Sequence, residues 1–215
     1  MTGRRAIEVP ARPSAPGIDL PVTAPAETTP RFASGSASTR HVEIRRHSLR
    51  VEGGQHLSRQ GVSLARHVGA TMGPFNRVIT STLSRSLETA VAMGFAVDEQ
   101  TEQLSRLGAE VDAEIDAEAG FAEFARAIRK GGATGLLAVA LAAMLRAMAQ
   151  HLPPGSSGLV ITHGGIVEAA AVGCIFDADH ESWGPACGYC EGVRMAFNGD
   201  RFVTAQILRV NQVVN

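Results

Sequence analysis

The sequence predicts an α/β protein, a three-layer sandwich with a mostly parallel central sheet and helices on both faces. Two observations carry this expectation. From His41 onward, short apolar runs alternate with longer segments of helical apolar period, each closed by glycine, proline or a capping residue. Strands separated by helices pair in parallel, with the helices laid over the sheet. Only the last two runs, VRMAF and RFVTAQILRV, flank a turn pair, Asn198 and Gly199, which predicts a terminal hairpin.

VEIRRH, residues 42–47, alternates Val42 and Ile44 with polar neighbours and reads as a strand, followed by a loop to Gly54. Ser58 then caps a helix carrying Val62, Leu64, Ala65, Val68 and Met72, closed by Gly73 and Pro74. RVIT, residues 77–80, is the next strand, and a helix runs from about Thr82 to Met93. Further helices cover Phe121 to Arg129 and Leu136 to about Gln150, the latter stopped by Pro153, Pro154 and Gly155. GLVIT, residues 158–162, is a short apolar strand, and GGIVEAAAVGCIF begins another helix. No internal repeat is visible.

The chain has 215 residues, 45% of them hydrophobic and 19% charged, enough for one domain with a sizeable core. The first 39 residues hold most of the ten prolines and show no sustained apolar period. Such a segment buries too little surface to offset its ordering entropy, so 1–39 is expected to be a disordered tail and 40–215 the folded domain. Arg4 and Arg5 are followed by no apolar stretch of the roughly 7–15 residues that a signal peptide needs. Leu136 to Leu145 is apolar until Arg146 interrupts it, short of the roughly 18–20 residues of a membrane span, so a buried helix is expected.

A formal net charge of -1 and a pI near 6.7 leave no electrostatic footprint for nucleic acid or an anionic membrane. Cys174, Cys187 and Cys190 are too few for a disulfide scaffold, and a reducing, cytoplasmic setting is expected. Cys187 and Cys190 form a CxxC without a second pair or nearby histidines, so packing is expected of them and no metal.

In open parallel sheets, ligands sit beyond the carboxyl ends of the strands, where loops lead into helices. The first strand end delivers Arg46, His47 and Arg50, the second Ser81 and Arg85, and the third His163 at a helix N-terminus. A helix N-terminus favours anions through its free N–H groups and macrodipole. The arginine fork matches phosphate oxygens in pairs, so phosphate is the natural occupant of this local concentration of positive charge.

The same residues form four ordered motifs. IRRHSLR, residues 44–50, resembles the RHG signature of the histidine phosphatase superfamily (phosphoglycerate mutase-like). LSRQG at 57–61 resembles that family's LTxxGxxQA, STLSRSLETA at 81–90 its SPLxRAxQTA, and THGG at 162–165 its late HGG. The resemblance spans about residues 41–209 in the right order and spacing. Two positions depart from the pattern. Ser48 stands where glycine is usual, with a consequence for loop packing, and Arg50 resembles the RHxxR arrangement of the family's phosphatases, which favours hydrolysis over transfer.

The resemblance implies that His47 is the nucleophile of a metal-independent phosphomonoester hydrolase, forming a phosphohistidine that water then cleaves. Arg46, Arg50, Arg85 and His163 would hold the three non-bridging oxygens, with no metal or other cofactor. The attacking imidazole must be neutral, which a backbone acceptor on its other nitrogen would enforce. The leaving group needs a proton, and the resemblance places the donor in LSRLGAEVDAEIDAEAG, residues 104–120. Glu110 is the choice there, with Asp112 and Glu114 as rivals, and a nearby phosphate would raise its pKa.

Other residues have plainer roles. Arg45 points to the sheet face opposite Arg46 and is expected to be solvated or peripheral. Ser81 is expected to cap a helix, and His41, His56, His67, His151 and His180 to lie on the surface or in the core. The acidic run Glu110 to Glu118 reads as a solvated helix face. Specificity would come from residues 94–135, while Trp183, Tyr189 and Phe176 are more readily explained by packing than by stacking on a ligand. The favoured partner is a small phosphorylated metabolite. The alternatives are a phosphohistidine-protein phosphatase, a phosphotransferase or mutase, and a catalytically silent phospho-ligand binder. Oligomeric state is left open, a homodimer included.

Overall fold

The computed structural model describes residues 39–210; the expected tail, apart from Thr39, and residues 211–215 lie outside them. The elements are β1 (Arg40–Arg46), α1 (Arg59–Gly69), β2 (Arg77–Ser81), α2 (Ser84–Ala92), β3 (Glu99–Thr101), α3 (Ala109–Asp112), α4 (Phe121–Lys130), α5 (Ala133–His151), β4 (Ser157–Thr162), α6 (Ile166–Cys174), β5 (Gly192–Phe197) and β6 (Phe202–Leu208). They form one six-stranded sheet in the order β3-β2-β4-β1-β5-β6. β3, β2, β4 and β1 pair in parallel, and β5 and β6 continue the sheet antiparallel as the expected hairpin.

Strand periodicity divides the interior into two cores. Leu159 and Ile161 of β4 pack with Val78, Ala65, Val68, Ala90 and Met93 on the side of α1 and α2. Val160 points the other way, packing with Val42, Ile44 and Ile79 and with the apolar faces of α4, α5 and α6. Alternate side chains of a strand buried on both faces thus build the three layers that the sequence predicts.

Ser58 is the N-cap of α1, accepting from the Gly61 N–H at 3.0 Å. The helix closes at Gly69, short of Gly73 and Pro74, with the Ala70 N–H turned back to the Arg66 and Val68 carbonyls. β3 was not foreseen. It has three residues, Glu-Gln-Thr, held by backbone pairing to β2 without an apolar side to register in the sequence. α3 is a single short turn and left no periodic signal. At 19 residues α5 exceeds its expected span and is long and apolar enough to cross a membrane by length and composition. Its Ala138, Leu141, Leu145, Met148 and Ala149 are buried in the larger core, which makes it a core helix of this domain.

Candidate active site

β2, β4 and β1 are neighbours in the sheet, and their carboxyl ends lie side by side: Arg46 pairs with Thr162 and Thr80 with Ile161. His47, Ser81 and His163 therefore emerge next to one another, each at or one residue beyond its strand. The His47 N–H donates to the Thr162 carbonyl at 2.8 Å, extending the ladder by one bond and fixing where that side chain starts.

The loop beyond His47 is tied to two helices. Ser48 is buried: its N–H donates to Thr89 Oγ1 at 2.9 Å and its hydroxyl donates to the Gly61 carbonyl at 2.7 Å. The departure from glycine thus joins the loop to the start of α1. Gly61 itself leaves no room for a side chain, since a Cβ there would lie 1.9 Å from the Leu49 carbonyl oxygen. That close approach is the physical reason for glycine in LSRQG.

His47 Nδ1 lies 2.7 Å from the Ser48 carbonyl, which can only accept. The proton is thereby assigned to Nδ1, and Nε2 keeps its lone pair. Arg85 Nε donates to that Nε2 at 3.1 Å and to His163 Nδ1 at 3.3 Å. The two rings lie 5.1 Å apart. His163 Nε2 meets the Ser81 hydroxyl at 2.8 Å, and Ser81 Oγ donates onward to Ser86 Oγ at 2.8 Å. Ser81 reaches the Leu83 N–H only at 3.4 Å, and the α2 N-cap is Leu83, so its main contact is His163 rather than the helix end expected of it.

Burial holds the His47 imidazole down at about 4, with Arg85, Arg46 and Arg50 pressing the same way against the Ser48 carbonyl. Burial, then His47 and the same arginines, lowers His163 to about 3. Both rings are neutral at neutral pH.

Arg46 Nη1 and Nη2 bind the two oxygens of Glu118 at 3.0 and 2.8 Å, and Nη1 also donates to the Cys187 carbonyl at 3.0 Å. Its Nε is buried without a partner among the described residues. Gly164 accommodates this guanidinium: a Cβ there would lie 3.1 Å from Arg46 Cζ. Tyr189 is also part of the site, 5.8 Å from the His47 ring and 4.9 Å below Arg46 Cζ. Trp183 instead packs on Phe121 and His180, and Phe176 is exposed under Arg129.

Beside His47 opens a cleft of about 320 Å³ whose lining includes Arg50, Arg85, Gln55, Thr82, Ser105 and Arg106. The structure thus joins His47, Arg85 and His163 by hydrogen bonds and sets Arg46 and Arg50 close enough to act electrostatically on both rings. Glu110 is not among them. It is exposed on α3 and lines a different cavity, of about 470 Å³, against Ala133, Leu136 and Leu137 of α5. Glu114 accepts from the Ala133 and Thr134 N–H groups and the Thr134 hydroxyl, capping α5. Those bonds, the Thr134 hydroxyl first, hold its carboxyl below the usual range, so it stays ionised. Asp112 is exposed.

Sequence reasoning missed Gln55, Arg106 and Glu118. Gln55 accepts from Arg85 Nη1 at 2.6 Å. None of the three lies in one of the four motifs. Arg45 is a correction. It does face away from Arg46, but the side chain is buried against Glu43 Oε1 at 2.5 Å and the Cys190 carbonyl at 2.6 Å. Its charge is matched by Glu43 instead of by water. Cys187 and Cys190 contribute backbone carbonyls to these arginines, and burial pushes both thiols up, Cys190 to about 11. Among the described residues, no group of three or more His, Cys, Asp or Glu is placed to hold a metal ion.

No family model matches the sequence, and no curated protein is significantly similar to it. Solved structures are similar in fold. Phosphoserine phosphatase from Entamoeba histolytica, solved with 3-phosphoglyceric acid, aligns over 80% of this chain and 98% of its own at 16% identity and a TM-score of 0.59. A mycobacterial glucosyl-3-phosphoglycerate phosphatase aligns over 80% and 100% at 17% identity and 0.55. Phosphoglycerate mutase from Bacillus anthracis aligns over 82% and 94% at 15% identity and 0.55. The sheet order, the layers and these alignments together establish that the chain has the phosphoglycerate mutase-like fold.

Proposed function

We propose that this protein is a metal-independent phosphohydrolase that works through a phosphohistidine on His47 and acts on a small phosphorylated metabolite. The observation that carries the proposal is the state of His47: neutral, its proton on Nδ1 toward Ser48, its Nε2 lone pair facing the arginines. In-line attack by Nε2 forms the N–P bond as the bond to the leaving group breaks. Water then attacks phosphorus, and the N–P electron pair returns to Nε2.

Arg46, Arg50 and Arg85 supply positive charge for the transferring phosphoryl group. As the phosphoryl group enters, Arg85 Nε exchanges its bonds to the two rings for a phosphate oxygen, releasing the His47 lone pair. His163 must then present a proton to the anion. Once Ser81 Oγ turns its single proton from Ser86 to His163 Nε2, that nitrogen gives up its own proton to solvent and Nδ1 takes one up, so that Nδ1–H faces the phosphate. Hydrolysis is favoured over transfer to a second substrate because Arg50, Gln55 and Arg106 at the mouth are exposed, which gives water access. The phosphatases among the structural relatives support the same choice. Three free thiols suit a reducing cytoplasm.

The test is hydrolysis of an aryl phosphate in excess EDTA by the wild type and by His47→Ala. Turnover that survives chelation and vanishes in the variant is expected. Turnover that stops with EDTA, or continues without His47, would mean a different chemistry.

A further inference from the structure

The cleft beside His47 is lined by guanidinium groups, and among the described residues lining it none is Asp or Glu. Arg50, Arg85 and Arg106 converge there, and Arg106 has no hydrogen-bond or ion-pair partner among the described residues. Arg50 donates only to the Gly54 carbonyl, at 3.3 Å. The acidic residues of the 102–118 segment do not line it. Glu118 holds Arg46 through both oxygens, Glu114 caps α5, Glu110 lines the separate cavity, and Glu102 accepts from the Thr82 hydroxyl at the rim.

An alcohol cannot leave phosphorus as an alkoxide without a proton, and arginine does not give one up near neutral pH. A guanidinium cluster does favour a leaving group that departs as a stable oxyanion. Carboxylates, with conjugate acids near about 4, and phosphates, near about 6, need no proton to leave. A cleft of about 320 Å³ has room for such a group.

We propose, building on the phosphohistidine route above, that the leaving group departs into the Arg50–Arg85–Arg106 cleft as a carboxylate or phosphate anion, so that the substrate is an acyl phosphate or a phosphoanhydride. His47 Nε2 bonds to phosphorus, the P–O bond breaks, and its electron pair goes to the departing oxygen. Water then attacks phosphorus, the N–P pair returns to Nε2, and of the two water protons one stays on the released phosphate and one goes to solvent. A protein phosphohistidine is a poorer fit, because its neutral imidazole leaving group gains nothing from three cations.

The experiment compares kcat/KM for pyrophosphate, acetyl phosphate, 3-phosphoglycerate, phosphoserine, a phosphohistidine peptide and 2,4-dinitrophenyl phosphate, using wild type, His47→Ala and Arg106→Ala. Hydrolysis of dinitrophenyl phosphate that depends on His47 establishes the route by itself. Pyrophosphate or acetyl phosphate should then exceed phosphoserine and 3-phosphoglycerate by at least about a hundredfold, and which of the two anhydrides is faster identifies the anion. Arg106→Ala should lower the anhydride to dinitrophenyl phosphate ratio by about tenfold or more, with Arg106→Lys recovering part of it.

3-Phosphoglycerate is the decisive control, since it carries a distal anion yet leaves as an alkoxide. If it or phosphoserine matches the anhydrides, or the phosphohistidine peptide outruns them, the inference is overturned and the phosphohistidine route stands. Selective slowing of the alkyl esters by Glu102→Gln or Glu118→Gln would reveal a proton donor and overturn it as well. Absence of His47-dependent turnover on all six substrates would overturn both proposals.

Discussion

On the floor of the cleft the polar side chains of His47, Ser48, Ser81, Ser86, Thr89 and His163 are buried and tied to one another or to backbone. Along the rim Arg50, Gln55 and Arg106 are exposed and sparsely held, and Arg106 is bound to no described residue. The floor is preorganised before any ligand arrives, so its atoms cost little reorganisation during reaction. The rim is positive charge awaiting a partner. On the proposed function, the floor carries the phosphoryl transfer and the rim selects the leaving group.

The sharpest way to break this division is at the floor. His47→Ala should lower aryl phosphate turnover by at least about four orders of magnitude with the fold intact by circular dichroism. Arg85 bridges floor and rim, donating to both histidines and to Gln55. Arg85→Ala should cost about a hundred- to a thousandfold in kcat/KM on the same substrate. A loss no larger than that of a rim variant would dissolve the distinction.

Two measurements of stability sharpen it. Gly61→Ala drives a methyl group into the Leu49 carbonyl and should destabilise the domain by more than about 3 kcal/mol in urea unfolding. The floor should also be sensitive to acid. His47 and His163 have folded-state pKa values of about 4 and 3, below the ordinary 6.5, so on acidification the unfolded chain takes up protons first. Their contribution is fully present above about pH 6.5 and is lost as pH falls toward 4, on the order of 3 kcal/mol for His47 alone. In ligand-free buffer, His47→Gln should therefore keep more of its pH 7 stability at pH 4.5 than the wild type does.

The smallest effect lies outside both regions. Glu114→Gln, which weakens the cap of α5, should lower Tm slightly and leave kcat/KM unchanged. A selective loss on alkyl phosphates would instead make Glu114 a proton donor.

Much of this was legible in the sequence. Strand and helix periods are local, so β1, β2, β4, the hairpin and the longer helices could be read from apolar spacing. The Ser58 cap could be read from backbone chemistry, whereas the glycine of LSRQG was legible only through its motif, its reason lying in the approach of the Leu49 carbonyl. Arg46, His47, Arg85 and His163 stood out because each sits at or just beyond a strand end, and sheet geometry gathers such ends on one edge. What the sequence could not decide was where the segment 102–120 would lie. Its acidic residues have no periodic partner in the chain, and only packing sends Glu110 toward α5, Glu114 to the α5 N-terminus and Glu118 to Arg46. The same holds for Arg45: alternation says which face it takes, but its burial comes with the Cys190 carbonyl, brought to it from far along the chain. Sequence determines the contacts that follow from short chain separation. Tertiary structure decides those made across it, where charge, cover and the competition for each hydrogen-bonding group are settled together.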